Sequence, residues 1–171
     1  MTQEPLTLYK LIVLYMLDRV AFPLTKAQVG DFILEKEYTN FLTLQQAIAD
    51  LIDTGLVDAR SIRNRTHLVI TPEGQETLRF FENRISDAIK EEINAFFQEN
   101  ELELRNEVSI LSDYYKSTNG EFEAELLAKD KGVELVSIRL AVPTEEMASA
   151  VCDNWQKNNQ EIYQYLTQKL F

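Results

Sequence analysis

Positive charge is scarce beside negative in this chain of 171 residues, with 17 Lys and Arg against 28 Asp and Glu and a net charge of −11. A strongly acidic balance gives poor long-range attraction to phosphate, so nucleic-acid binding here requires a local basic patch. Cys152 is the single cysteine, which excludes an intrachain disulfide framework. His67 is the single histidine, and metal binding or triad chemistry would need partners that the chain does not supply. Its expected place is a solvent-facing strand position, and that of Cys152 a buried helix face. The longest uncharged apolar run, Leu11 to Leu17, is far too short to cross a bilayer. The N-terminal stretch carries Glu4 and no basic-then-apolar leader pattern, so a cytoplasmic location is the expectation. Five glycines form no phosphate-cradling loop, and no nucleophile–base arrangement is visible. Glu91-Glu92 and Glu145-Glu146 read as solvated helix charge. These absences point to a non-enzymatic protein without a cofactor or metal.

The charge is unevenly placed. Residues 1–75 hold 7 basic and 9 acidic side chains, a net of −2, whereas residues 76–171 hold 10 and 19, a net of −9. The first segment is therefore the one free to meet an anionic partner.

That segment is organised around Leu24 to Thr71. Thr25 and Gln28 form a T-x-x-Q capping box, with Leu24 stapling onto Val29, and a helix over about Lys26 to Glu35 follows. Val29, Phe32 and Ile33 are its inward residues. Thr43 and Gln46 repeat the box, which predicts a second helix from Leu44, and Gly55 stands where a left-handed C-terminal cap is wanted. Phe41 and Leu42 in the connector are expected in the core. Leu44, Ile48, Leu51 and Ile52 make the inward stripe of this helix, leaving Gln45, Gln46, Asp50 and Asp53 outward. VDARSIR and THLVIT are strand-like around Asn64, which tolerates turn backbone angles. Before all this, Pro5 opens a helix carrying Leu8, Leu11, Ile12, Tyr15 and Met16 at helical spacing, and Pro23 ends it.

Helix, turn, helix and a two-stranded wing is the layout of a winged helix-turn-helix. In such a fold the second helix of the pair enters the major groove by its N-terminal residues, here Thr43, Gln45 and Gln46. Glutamine suits adenine edges, although a capping box alone also accounts for Gln46. Arg60, Arg63 and Arg65 are the densest positive charge in the chain and flank the wing turn. They suit phosphate or a narrow minor groove; a charge-guarded hairpin edge is the plainer alternative.

Thr71-Pro72-Glu73-Gly74 starts the next helix, with Thr as cap and Pro at the first helical position. Leu78, Phe81, Ile85, Ile89, Ile93 and Phe96 recur at spacings of three and four, which predicts one helix from Pro72 to about Gln98. At 1.5 Å per residue it is about 40 Å long, more than a small winged-helix core covers. From Leu104 the period changes. LRNEVSILSDYYK, EFEAELLAKD and VELVSIRLAV read as strands, with Asn119-Gly120 and Lys131-Gly132 at the turns. A last helix follows Pro143 with Met147, Val151, Trp155, Ile162, Leu166 and Leu170 along one stripe. Tyr114, Tyr115 and Trp155 either line a pocket for a small-molecule effector or are core.

The expected fold class is α+β. A winged helix-turn-helix domain spans 1–75, a linker helix 76–100, and a small dimerisation or ligand-sensing lobe 101–171, built as a three-stranded antiparallel meander under one helix. The block from Leu42 to Gly74 resembles bacterial MarR-type and PadR-type regulators. Gly55, Leu56 and Val57 match their step after the recognition helix, and Thr71, Pro72, Glu73 and Gly74 match their turn after the wing. The wing here is shorter and the recognition helix less basic than in those families. Over its full length the chain resembles an uncharacterised bacterial winged-helix family known only as a domain of unknown function. These resemblances imply a regulator that binds double-stranded DNA. The surplus apolar stripe on the long and last helices adds the expectation of a homodimer with those helices near the interface. A winged-helix protein-interaction module without DNA binding is the alternative that the charge of −11 favours.

Overall fold

Seven consecutive residues from Leu11 to Leu17 are buried in helix α1 (Gln3–Arg19), so this helix is enclosed on every side rather than along one stripe. A helix apolar all round has to run through the middle of its domain. Around it the computed structural model, which describes residues 3–62, 64–130 and 133–171, places the other elements of a first compact unit, Met1–Arg105. A second unit is Asn106–Phe171. The protein is α+β, with six helices and two three-stranded antiparallel sheets among the described residues.

In the first unit, β1 (Leu24–Thr25) leads directly into α2 (Lys26–Glu35). The capping box forms as its sequence specifies: Gln28 N–H donates to Thr25 Oγ1 at 3.0 Å, and Thr25 N–H donates to Gln28 Oε1 at 2.8 Å. Val29, Phe32 and Ile33 are buried. Helix α3 (Phe41–Asp53) begins earlier than the T-x-x-Q pattern implies. Asn40 is the cap, and its Oδ1 accepts from Thr43 N–H at 2.9 Å, so Thr43 lies inside the first turn. The earlier start corrects the expectation for Phe41 and Leu42. Leu42 shares the outward face with Gln45, Gln46 and Ala49 and is 79% exposed, while Phe41 projects from the first turn and is 59% exposed. Leu44, Ala47, Ile48 and Leu51 pack inward.

Both helices end in the same hydrogen-bonded motif. After α3, Gly55 N–H donates to Ile52 O and Leu56 N–H to Leu51 O, with Gly55 at φ +77°. After α2, Glu37 N–H donates to Leu34 O and Tyr38 N–H to Ile33 O, and the left-handed position is held by Glu37 at φ +59°.

The hairpin strands β2 (Val57–Ile62) and β3 (Arg65–Ile70) pair antiparallel with Ile62 opposite Arg65. Asn64 takes φ +62° in the turn, as expected of it; Arg63 lies outside the described residues. Strand β3 is central, in the order β1-β3-β2. Here the structure corrects the reading of His67, which is buried, 4% exposed. The two-residue β1 pairs with the other edge of β3 and sets Thr25 opposite His67. So short a strand leaves no periodicity in the sequence.

The two sequence blocks on either side of the hairpin are locked together. Thr71 Oγ1 donates to Gly55 O at 2.7 Å and accepts from Gly74 N–H at 3.0 Å, and Thr71 N–H donates to Leu56 O at 3.1 Å. Thr71 thereby caps α4 (Pro72–Phe81) and ties it to the end of α3. A Cβ on Gly74 would lie 2.1 Å from Leu56 O, so only glycine fits.

The single helix expected from Pro72 to about Gln98 is two. After α4 comes a 3-10 turn (Glu82–Arg84), then Ile85 in extended conformation, then α5 (Asp87–Ser109) with Ser86 Oγ accepting from Ile89 N–H. The break lets Ile85 reach the core, where it is 2% exposed. Helix α5 also continues through Leu104 and Val108, both buried, so the first strand of the meander starts at Ile110 and not at Leu104.

In the second unit β4 (Ile110–Lys116), β5 (Phe122–Asp130) and β6 (Val133–Val142) form the meander in that order, and α6 (Glu145–Leu170) covers one face. Gly120 takes φ +89° in the first turn; the Lys131-Gly132 turn lies outside the described residues. Ala124, Leu126 and Ala128 alternate inward on β5 and pack with Cys152 and Trp155 of α6. Small residues at two of those three strand positions leave room for the indole, whose Nε1 donates to Leu127 O at 3.1 Å. Ala148, not the half-exposed Met147, starts the buried stripe of α6.

Candidate nucleic-acid interface

Thr43, Gln45 and Gln46 sit together on the first two turns of α3, as the spacing requires, but they are not equally free. Gln46 Nε2 donates to Asp50 Oδ1 at 2.8 Å, one turn further along. Lys10 Nζ of α1 meets the other carboxylate oxygen of Asp50 at 3.1 Å. The Lys10 ammonium and then the Gln46 amide hold the Asp50 carboxyl below the usual carboxylate range. The carboxylate that would repel phosphate on the outward face of α3 thus carries its own counter-ion. Sequence reading missed Lys10, because the partner comes from a helix 40 positions away.

Beside this surface the starts of α1 and α3 enclose an open groove of about 520 Å³. Pro5, Leu6, Tyr9 and Leu42 form its apolar wall and Thr43 and Gln46 part of its polar one.

On the hairpin, cross-strand register sets Arg60 opposite His67 and Ile62 opposite Arg65. Side chains alternate between faces, so Arg60 and Arg65 share one face with Asp58, while Val57 and Leu68 are buried on the other. Arg60 and Arg65 are exposed, and among the described residues neither makes an ion pair. Arg63, the third arginine of this stretch, falls outside the described residues.

The three aromatic residues of the second unit do not converge. Trp155 is core. Tyr114 lies on the helix-covered face, with its hydroxyl donating to Glu145 Oε1 at 3.3 Å. Tyr115 lies on the opposite face, where its hydroxyl donates to Glu125 Oε1 at 3.2 Å. Burial and the Glu125 and Glu123 carboxylates push the Tyr115 hydroxyl above the usual phenol range. Arg139 Nε meets Glu125 at 3.2 Å and Glu123 at 3.8 Å on the same face. Among the described residues no cluster of His, Cys, Asp and Glu is placed to hold a metal ion, and no helix is long and apolar enough to cross a membrane.

The sequence profile of one family, described as a domain of unknown function (DUF4364), matches residues 9–170. Among curated proteins and solved structures, none matches the chain.

Proposed function

The chain belongs to the DUF4364 family, and within it we propose a non-enzymatic, DNA-binding transcriptional regulator of the winged-helix class that acts as a homodimer. The order α1, β1, α2, α3, hairpin, with β1 beside the second hairpin strand, supports the winged-helix assignment. In this reading α3 approaches the major groove with Thr43 and Gln45, and the wing holds phosphate or minor groove. The observation that carries it is the pair of exposed arginines on one face of the hairpin, Arg60 and Arg65, neither in an ion pair among the described residues, next in sequence to a helix whose Asp50 is already paired with Lys10.

The test is a genomic pull-down with purified protein, followed by gel shifts of the enriched fragments over a salt series. Replacing Arg60 and Arg65 with Ala should weaken binding to every sequence alike and flatten the salt dependence by about one unit per lost phosphate contact. Gln45→Ala should instead erode discrimination between sites. Retardation unchanged by the double arginine variant overturns the reading.

A second reading, a protein-interaction module, is favoured by Leu42, which lines the α1–α3 groove and stands exposed, with exposed Phe41 next to it in sequence. Apolar side chains there suit a partner's apolar segment better than a phosphate backbone. Leu42→Asp separates the two: it should abolish capture of a protein partner, whereas the arginine variants should abolish DNA retardation.

A further inference from the structure

Strand β6 is an outer strand of its sheet, and among the described residues no strand pairs with its far edge. At ten residues it is also long, and Val133, Leu135 and Leu140 along it are 63%, 48% and 43% exposed. Such an edge is a template for another strand, and proteins ordinarily blunt it with lysine, proline or brevity. Residues 133–142 contain neither lysine nor proline, and their only charges are Glu134 and Arg139.

The register of β6 contains a bulge. Ala128 of β5 faces Val136, but the next residue, Lys129, faces Glu134, so Leu135 is an extra residue. In a regular strand Glu134 and Arg139 would point to opposite faces. The bulge moves Glu134 to the face of Ser137 and Arg139, away from α6, and leaves Val133, Val136, Ile138 and Leu140 on the other.

We propose that β6 is a homodimerisation edge, pairing antiparallel with β6 of a second copy about a two-fold axis through Ser137 to make one six-stranded sheet. Two-fold symmetry requires that opposed residues share a face and that each contact occur twice. Counted past the bulge, an axis at Ser137 sets Glu134 opposite the second copy's Arg139, Val133 opposite Leu140, and Val136 opposite Ile138. Each charge meets its opposite and each apolar side chain meets another. An axis at Val136 or at Ile138 sets neither charge against its complement. This self-complementarity identifies the occupant as a second copy: the strand carries both halves of its own charge pair. The two ion pairs also counter, locally, the repulsion between chains of charge −11. The proposal supplies the surface for the homodimer named above, yet it needs no DNA and is tested without it.

The experiment is light scattering on the full chain at micromolar concentration. The wild type should weigh twice the 19.8 kDa chain mass. Glu134→Arg alone and Arg139→Glu alone should each return to the single-chain mass with an unchanged far-ultraviolet spectrum. Mixing the two variants in equal amounts should restore the doubled mass, because each then presents the charges that the other faces. Ser137→Cys should give a covalent dimer on mild oxidation, since residues on the axis come within disulfide reach, and buried Cys152 does not compete. If Arg139→Glu fails to fold beside Glu123 and Glu125, the Ser137→Cys cross-link decides. A monomeric wild type overturns the proposal. So does a dimer that survives both charge variants without cross-linking at Ser137, which would point to the exposed Tyr165 and Leu170 of α6 and Phe171 after it. A monomer that still retards DNA overturns this edge alone, and a cross-linked dimer that binds no DNA overturns only the regulator reading.

Discussion

The two sheets share strand number and antiparallel pairing, yet they are held in place by different physics. The first, β1-β3-β2, is fixed by backbone: Thr71 bonds to the Gly55-Leu56 step, Gly74 presses against Leu56 O, and Thr25 serves both β1 and the cap of α2. The second, β4-β5-β6, is fixed by side chains packed around Trp155. Its buried cluster is two alanines, a leucine, a cysteine and Trp155, with Ile110, Tyr114, Val136, Ile138, Val151 and Ile162 packed around it, so the indole is its largest single member. A sheet clamped by backbone bonds can leave β2 exposed at four of its six positions and still project a hairpin. A sheet held by side-chain packing keeps its covered face mostly apolar and carries Glu123, Glu125 and Arg139 on the other.

The comparison is broken hardest at Trp155. Trp155→Ala should cost about 3–5 kcal/mol, the usual range for removing a large aromatic from a core, because neighbours as small as Ala124 and Ala128 cannot fill the void. Urea unfolding followed by circular dichroism measures it; a loss near 1 kcal/mol would mean that the second unit is not centred on the indole. Gly74→Ala probes the first unit and should cost about 3 kcal/mol, the upper end for overpacking, since its nearest obstacle is a backbone carbonyl that cannot swing away. An unchanged unfolding midpoint would show that the lock between α3 and α4 is slack. The mildest test works in the stabilising direction. Glu37 occupies at φ +59° the position that glycine occupies after α3, so Glu37→Gly should raise stability by about 0.5–1 kcal/mol. A decrease would mean that the Glu37 side chain contributes more than its backbone strain costs.

Local signals explain which parts of this fold were legible beforehand. The Thr25–Gln28 box, the Gly55 cap, the Thr71-Pro72 start, the Asn64 and Asn119-Gly120 turns and the alternation along β5 all involve residues within a few positions of one another. Of the proposed contact residues, Arg60 and Arg65 were legible as flanking the hairpin turn, and the cross-strand register then set them on one face. The chain itself therefore determined element types, most caps and the hairpin turn that the arginines flank, because hydrogen bonds between neighbours are decided before any distant segment arrives. Tertiary structure decided the rest. The two residues of β1 made β3 a central strand and set Thr25 opposite His67, both of them buried. Burial of Ile85 broke a helical period that reads as unbroken. Two T-x-x-Q boxes look alike in sequence, yet only the first caps a helix, because Asn40 claims the start of α3. Lys10 supplied the counter-ion to Asp50 from another helix, and the bulge at Leu135 set which face Glu134 joins. Each of these outcomes depends on competition for burial or charge between segments far apart in sequence, and no local pattern records who wins.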